Sequence, residues 1–66
     1  MQILVNGAPC QLPHDSRVTD LIEQLGYTGK RIAIELNGEI VPKSRHADTP
    51  LTEGDQLEIV VAVGGG

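Results

Sequence analysis

The chain has 66 residues with nine acidic and five basic side chains, a formal charge of −4. A length of this order supports one small core that buries about 60% of the unfolded surface, without room for a deep substrate pocket and a full catalytic set. The basic residues form no cluster, which argues against nucleic acid or an anionic membrane surface as partner.

There is one aromatic residue, Tyr27, so the core has to be built from Leu, Ile and Val. One cysteine, Cys10, excludes an internal disulfide framework and fits a reducing, cytoplasmic setting. Met1-Gln2-Ile3-Leu4-Val5 lacks the basic start and apolar run of a signal peptide. No apolar stretch approaches transmembrane length.

The first segment alternates, with Met1, Ile3 and Val5 on one side and Gln2 and Leu4 on the other. Asn6-Gly7 is a strong hairpin signal, because both central residues of a type I′ turn need positive φ. Ala8 to Leu12 returns as a second strand, and Pro9, which cannot donate to a ladder, places that strand at an edge. Pro13-His14-Asp15-Ser16 reads as a loop with Asp15 or Ser16 as helix N-cap. Val18, Leu21, Ile22 and Leu25 then recur at helical spacing, Asp20 suits the start of the helix dipole, and Gly26 stands where a left-handed C-cap belongs.

Arg31 to Leu36 alternates again, with Ile32, Ile34 and Leu36 inward. Asn37-Gly38 is a second hairpin turn, followed by the short strand Glu39-Ile40-Val41 and by Pro42. Lys43 to Leu51 reads as irregular, with a turn of helix near Lys43 to His46. Glu53-Gly54-Asp55 launches the last strand, in which Leu57, Ile59, Val61 and Val63 share one face and Glu58, Val60 and Ala62 the other. Gly64-Gly65-Gly66 completes the sequence.

Strong apolar alternation in the first and last strands predicts that they lie side by side at the centre of the sheet. They then run parallel, since a helical crossover separates them. The predicted class is α+β, a mixed sheet of four to five strands packed on one helix. That is the β-grasp arrangement, with residues 1–66 as a single domain and 64–66 as a flexible tail. The helix should cover the face bearing Met1, Ile3, Val5, Ile32, Ile34, Leu36, Leu57 and Ile59.

The glycines offer bare backbone reaching about 10 Å beyond the last strand and ending in an α-carboxylate. A glycine-rich end alone is ordinary linker material; on a complete β-grasp pattern it reads as the working group. Leu4, Ala33, Val60 and Ala62 fall on the sheet face away from the helix, where exposed apolar residues mark a docking patch. Cys10, at an edge with no basic neighbour, reads as a small packing residue. His14 and His46 read as surface histidines without ligand-spaced companions. Lys30, Arg31, Lys43 and Arg45 read as solvated surface. No metal site and no convergent set of nucleophile, base and orienter is visible.

Taken together, Met1-Gln2-Ile3, the helix Val18-Thr19-Asp20-Leu21-Ile22-Glu23-Gln24-Leu25, Leu36-Asn37-Gly38-Glu39-Ile40-Val41-Pro42 and Glu53-Gly54-Asp55-Gln56-Leu57-Glu58-Ile59-Val60 before the glycines resemble the ubiquitin-like sulfur carriers, most closely the ThiS family of thiamin biosynthesis. The resemblance covers the whole length. It implies a protein co-substrate without bound cofactor or catalytic residues of its own, monomeric when free.

On that resemblance a ubiquitin-activating-type adenylyltransferase uses ATP to adenylate the Gly66 carboxylate, with Gly64 and Gly65 threading the partner's active site. Sulfur from a persulfide donor then displaces AMP, and the resulting thiocarboxylate serves thiazole synthase. The family signature proper is the final Gly-Gly pair, so Gly64 is an additional glycine. Three other readings stand beside this one: a molybdopterin synthase small subunit, a tag conjugated through Gly66 to lysine amines, and a β-grasp interaction module whose tail is irrelevant.

Overall fold

In the computed structural model, which describes residues 1–62, the alternating segments pair into one five-stranded mixed sheet. The elements in order are β1 (Gln2–Val5), β2 (Ala8–Gln11), α1 (Val18–Gln24), β3 (Ile32–Leu36), β4 (Glu39–Val41), a 3₁₀ helix (Lys43–Asp48) and β5 (Gln56–Val61). Spatially the strands run β2-β1-β5-β3-β4. β1 and β5 are adjacent and parallel, as the alternation predicts, while β1–β2, β3–β4 and β3–β5 are antiparallel. This is the ubiquitin-like β-grasp.

Both hairpins are set by their turns. Asn6 and Asn37 each have φ of 51°, followed by Gly7 at 83° and Gly38 at 87°, the paired left-handed conformations of a type I′ turn. A two-residue loop fixes register, so Val5 faces Ala8 and Leu36 faces Glu39. Pro9 lies on the edge strand β2.

The core is aliphatic throughout. Ile3, Leu12, Val18, Leu21, Ile22, Ile34, Val41, Leu51, Leu57 and Ile59 are buried, and Met1, Val5, Cys10, Leu25, Tyr27, Ile32 and Leu36 pack against them. Every residue expected on the helix-facing side of the sheet is in this set. Leu12, Val41 and Leu51 join it as well. Leu12 continues the β1–β2 pairing, its amide donating to the Met1 carbonyl at 2.9 Å. Cys10 is half-buried against the core and its Sγ accepts from Gln24 Nε2 at 3.7 Å.

The start of α1 corrects the sequence reading. The N-cap is Arg17, not Asp15 or Ser16. Arg17 pairs with Pro50 in an isolated β-bridge, flanked by Leu51 N donating to Ser16 O at 2.9 Å and Val18 N donating to Thr49 O at 3.0 Å. This pairing holds the backbone extended through Arg17, so the helix starts at Val18. Ser16 is buried and its Oγ donates to Pro13 O at 2.7 Å. Asp20 serves the helix start by accepting the Arg17 amide at 2.7 Å. At the other end Gly26, at φ 77°, closes a Schellman motif: Tyr27 N donates to Ile22 O at 2.9 Å and Gly26 N to Glu23 O at 3.1 Å.

His46 is a second correction. It is 7% exposed, not a surface residue, because the 3₁₀ helix folds it inward until Nε2 lies 3.2 Å from the Val41 carbonyl. Leu21 sits at the centre of the packed stripe with no exposed surface. Replacing it by alanine is expected to cost about 2–5 kcal/mol, read as a lower urea midpoint with little change in the slope of the transition.

Candidate functional site

The last strand delivers the chain toward the glycines, and its position depends on what grips it. Its approach is fastened to β1: Gly54 N donates to Gln2 O at 2.8 Å, Leu4 N to Asp55 O at 2.9 Å and Asn6 N to Leu57 O at 2.9 Å. The parallel register itself is short, Leu4 with Gln56 and Val5 with Leu57. Asn6 lengthens it with its side chain, which accepts from Ile59 N at 2.8 Å and donates to Ile59 O at 3.1 Å, the pattern of one more ladder residue.

Asn37 acts similarly on the β3 side. Its backbone amide donates to Gln56 O at 2.7 Å, its Oδ1 accepts from Gln56 N at 3.0 Å, and its Nδ2 reaches Asp55 Oδ1 at 3.1 Å. The asparagines therefore shape two turns and clamp β5 from opposite flanks. Sequence reading assigned them only the turns; their identity as asparagine, where other residues also allow positive φ, was the available signal.

Past Ile59 the support becomes one-sided. β3 continues alongside, with Ile32 opposite Val61 and Ala62 N donating to Arg31 O at 2.9 Å. β1 has already turned away at Asn6-Gly7, so among the described residues no strand lies on the other flank there. Gly64, Gly65 and Gly66, expected to carry the chemistry, lie outside the described residues, as does Val63.

Of the four expected docking residues, three gather at this end of the sheet face turned away from α1. Ala33 stands directly opposite Val60, and Ala62 follows two residues on. Val60 is 66% exposed. Leu4 sits apart. It is half-buried and in register with Gln56, about 13 Å from Val60 along the strand at roughly 3.3 Å per residue.

Between them stand Glu35 and Glu58, directly opposite one another in the β3–β5 register. Both border a shallow depression of about 280 Å³, lined also by Leu4, Gly7, Asn37 and Gln56. Ile40, 66% exposed, faces Glu35 from β4 and extends the apolar surface. The sequence reading left Ile40 out, although the register of a two-residue turn after Leu36 puts it on this face.

The side chains that could serve as nucleophile or base are dispersed. Cys10 packs on the core from β2, His46 is held on the Val41 carbonyl, and His14 is exposed in the loop before α1. Among the described residues no group of three or more His, Cys, Asp or Glu is placed to hold a metal, and no helix is long and apolar enough to cross a membrane.

Comparison with known proteins agrees with this geometry. The sequence model of the ThiS family matches residues 3–66. The chain is similar to the sulfur carrier protein ThiS of Escherichia coli, 33% identical over 66 residues with 100% of each chain covered. It is also similar to a thiazole synthase of Paramagnetospirillum magneticum, 39% identical over 66 residues; the match takes in all of this chain but spans only 20% of that protein's length. Among solved structures, the crystal structure of the thiamine biosynthesis protein ThiS from Geobacter metallireducens superposes with a TM-score of 0.83 at 30% identity, covering 100% of both chains.

Like charges directly opposite on a sheet are destabilising. Glu35→Gln, which keeps the shape and removes one of the facing carboxylates, is expected to raise stability by about 0.2–1 kcal/mol at low salt. Chemical denaturation repeated at high ionic strength should show the gain shrink; no gain at low salt would count against repulsion between the pair.

Proposed function

The chain belongs to the ThiS family, and from that membership we propose that it is a sulfur carrier of thiamin biosynthesis whose working group is the α-carboxylate of Gly66. It acts as a protein co-substrate in the cytoplasm and is a monomer when free. Residues 1–62 form one unit that presents the tail to other proteins.

A carboxylate is anionic at neutral pH and a poor electrophile, so it needs a leaving group. A ubiquitin-activating-type adenylyltransferase supplies one by transferring AMP from ATP to the Gly66 carboxylate. The terminal sulfur of a persulfide donor attacks the acyl adenylate and expels AMP, giving an acyl disulfide. A second thiol cleaves its S–S bond, forming a disulfide with the donor cysteine and releasing the thiocarboxylate that thiazole synthase consumes. Gly64 and Gly65 carry no Cβ to collide with the walls of a partner's active site.

The observation that carries this reading is the reach of the family match. It runs to residue 66, taking in the three glycines that come two residues after the end of β5. A thiazole synthase containing a stretch 39% identical to the whole chain supports thiazole synthase as the acceptor. The cluster of Ala33, Val60 and Ala62 beside the strand end suits a partner that grips the sheet face while taking the tail.

Incubation with the activating enzyme, ATP, a persulfide donor and a thiol reductant should give an intact-mass gain equal to replacement of one oxygen by sulfur. An unchanged mass, under conditions that load the E. coli carrier, would sink the proposal. Removing Gly65 and Gly66 should abolish the gain and leave the unfolding midpoint unaltered. Capture by the large subunit of molybdopterin synthase, with none by thiazole synthase, would redirect the assignment to that pathway.

Val60→Asp places a charge on the exposed cluster and should shift stability by no more than about 0.5 kcal/mol. It should weaken the complex with thiazole synthase or the activating enzyme by about tenfold, as loss of an apolar anchor does. Calorimetric titration of the purified pair checks it.

A further inference from the structure

The helix side of the molecule carries a feature that the carrier chemistry leaves unused. Between α1, the residue 27–31 connector, the start of β3 and the 3₁₀ helix lies an open groove of about 500 Å³. Its floor is apolar: Ile22 from α1, Tyr27 from the connector and Ile32 from β3, all part of the core or packed on it. Its lining includes Lys30, Arg31 and Lys43, three of the five basic side chains in the sequence, and one acidic side chain, Glu23. The three cations are exposed.

That local excess of positive charge opposes the overall charge of −4. A random draw on this composition would favour acidic lining, since acids outnumber bases nine to five. The groove is also held in shape. Lys30 Nζ lies 5.6 Å from the Tyr27 ring centroid, within cation–π range. The Schellman motif fixes Tyr27 relative to α1, and the His46–Val41 contact ties down the 3₁₀ helix that begins at Lys43. One end of the groove adjoins the exit of β5, where the Arg31 carbonyl accepts the Ala62 amide.

We propose that this groove docks an acidic segment of a partner protein. An apolar side chain of that segment sits on Ile22, Tyr27 and Ile32, and its flanking carboxylates meet Lys30, Arg31 and Lys43. The occupant follows from charge complementarity around an apolar floor. The cations come from two separate elements, the connector and the 3₁₀ helix, which suits carboxylates spread along a segment better than one compact phosphate. Residues 30 and 31 stand next to the end of β5, so such a segment would add a second hold beside the strand that the partner receives.

The test does not depend on sulfur transfer and can fail while the carrier reading stands. The full chain, labelled for amide chemical shifts, is titrated with the blocked peptide Glu-Glu-Leu-Glu-Glu, with its all-glutamine counterpart and with ATP as a phosphate probe. Shifts gathered at residues 27–32 and 43–47 with the acidic peptide, weaker with the glutamine peptide and declining as salt rises, are expected.

The combined variant Lys30→Glu, Arg31→Glu and Lys43→Glu should weaken peptide binding by about tenfold or more. Lys43→Ala alone should weaken it measurably with the unfolding midpoint unchanged, which guards against a misfolded triple variant. No response to the acidic peptide at millimolar concentration would overturn the proposal. So would an equal response to both peptides, shifts confined to the opposite sheet face, or a response to ATP alone.

Discussion

The pairing of β1 with β5 is the constraint on which the rest of the fold turns. Parallel neighbours cannot be joined by a hairpin, so β2, α1, β3, β4 and the 3₁₀ helix all lie within the connection that returns β5 to the middle of the sheet. With β5 between β1 and β3, the rows bearing Ile3, Leu57, Ile59 and Ile34 become contiguous, and α1 seals them with Val18, Leu21 and Ile22. The parallel register spans only two residue pairs. The Asn6 side chain adds the equivalent of a third step by bonding both backbone groups of Ile59.

The two faces of the sheet answer to different demands. Each aliphatic side chain buried under α1 contributes about 1.5–3 kcal/mol, whereas facing like charges on the other side cost about 0.2–1 kcal/mol. The buried face therefore dominates stability, and the outer face can carry Glu35 opposite Glu58 and leave Ile40 and Val60 in solvent without endangering the fold. A surface under so little structural pressure is free to be shaped by what binds it.

Much of this was legible in the residues. Alternation, the two Asn-Gly turns, Pro9 and the Val18–Leu21–Ile22 stripe gave the elements, their order and the parallel centre. Such features are local, or follow from the two-residue and 3.6-residue periods. The misses share a cause in contacts between residues distant in sequence. Arg17 caps α1 because its neighbours pair with residues 49–51, which no window around residue 17 contains. Leu51 is buried at the same closure. Asn6 meets Ile59 across a separation of 53 residues. His46 is buried in a 3₁₀ helix that lies against α1, an element well before it in the chain. The outer face was half legible: period two placed Ala33 and Val60 there, but which residues touch depends on register between strands far apart in the chain.

The edges of the sheet carry a last consequence. One margin is β2, interrupted by Pro9, and the other is β4, only three residues long. Neither offers the long unpaired row of amides and carbonyls on which identical molecules polymerise. The described backbone instead leaves a flank uncovered beside β5 past Ile59, at its heart and not its border. Such a molecule can accumulate in a crowded cell without stacking edge to edge.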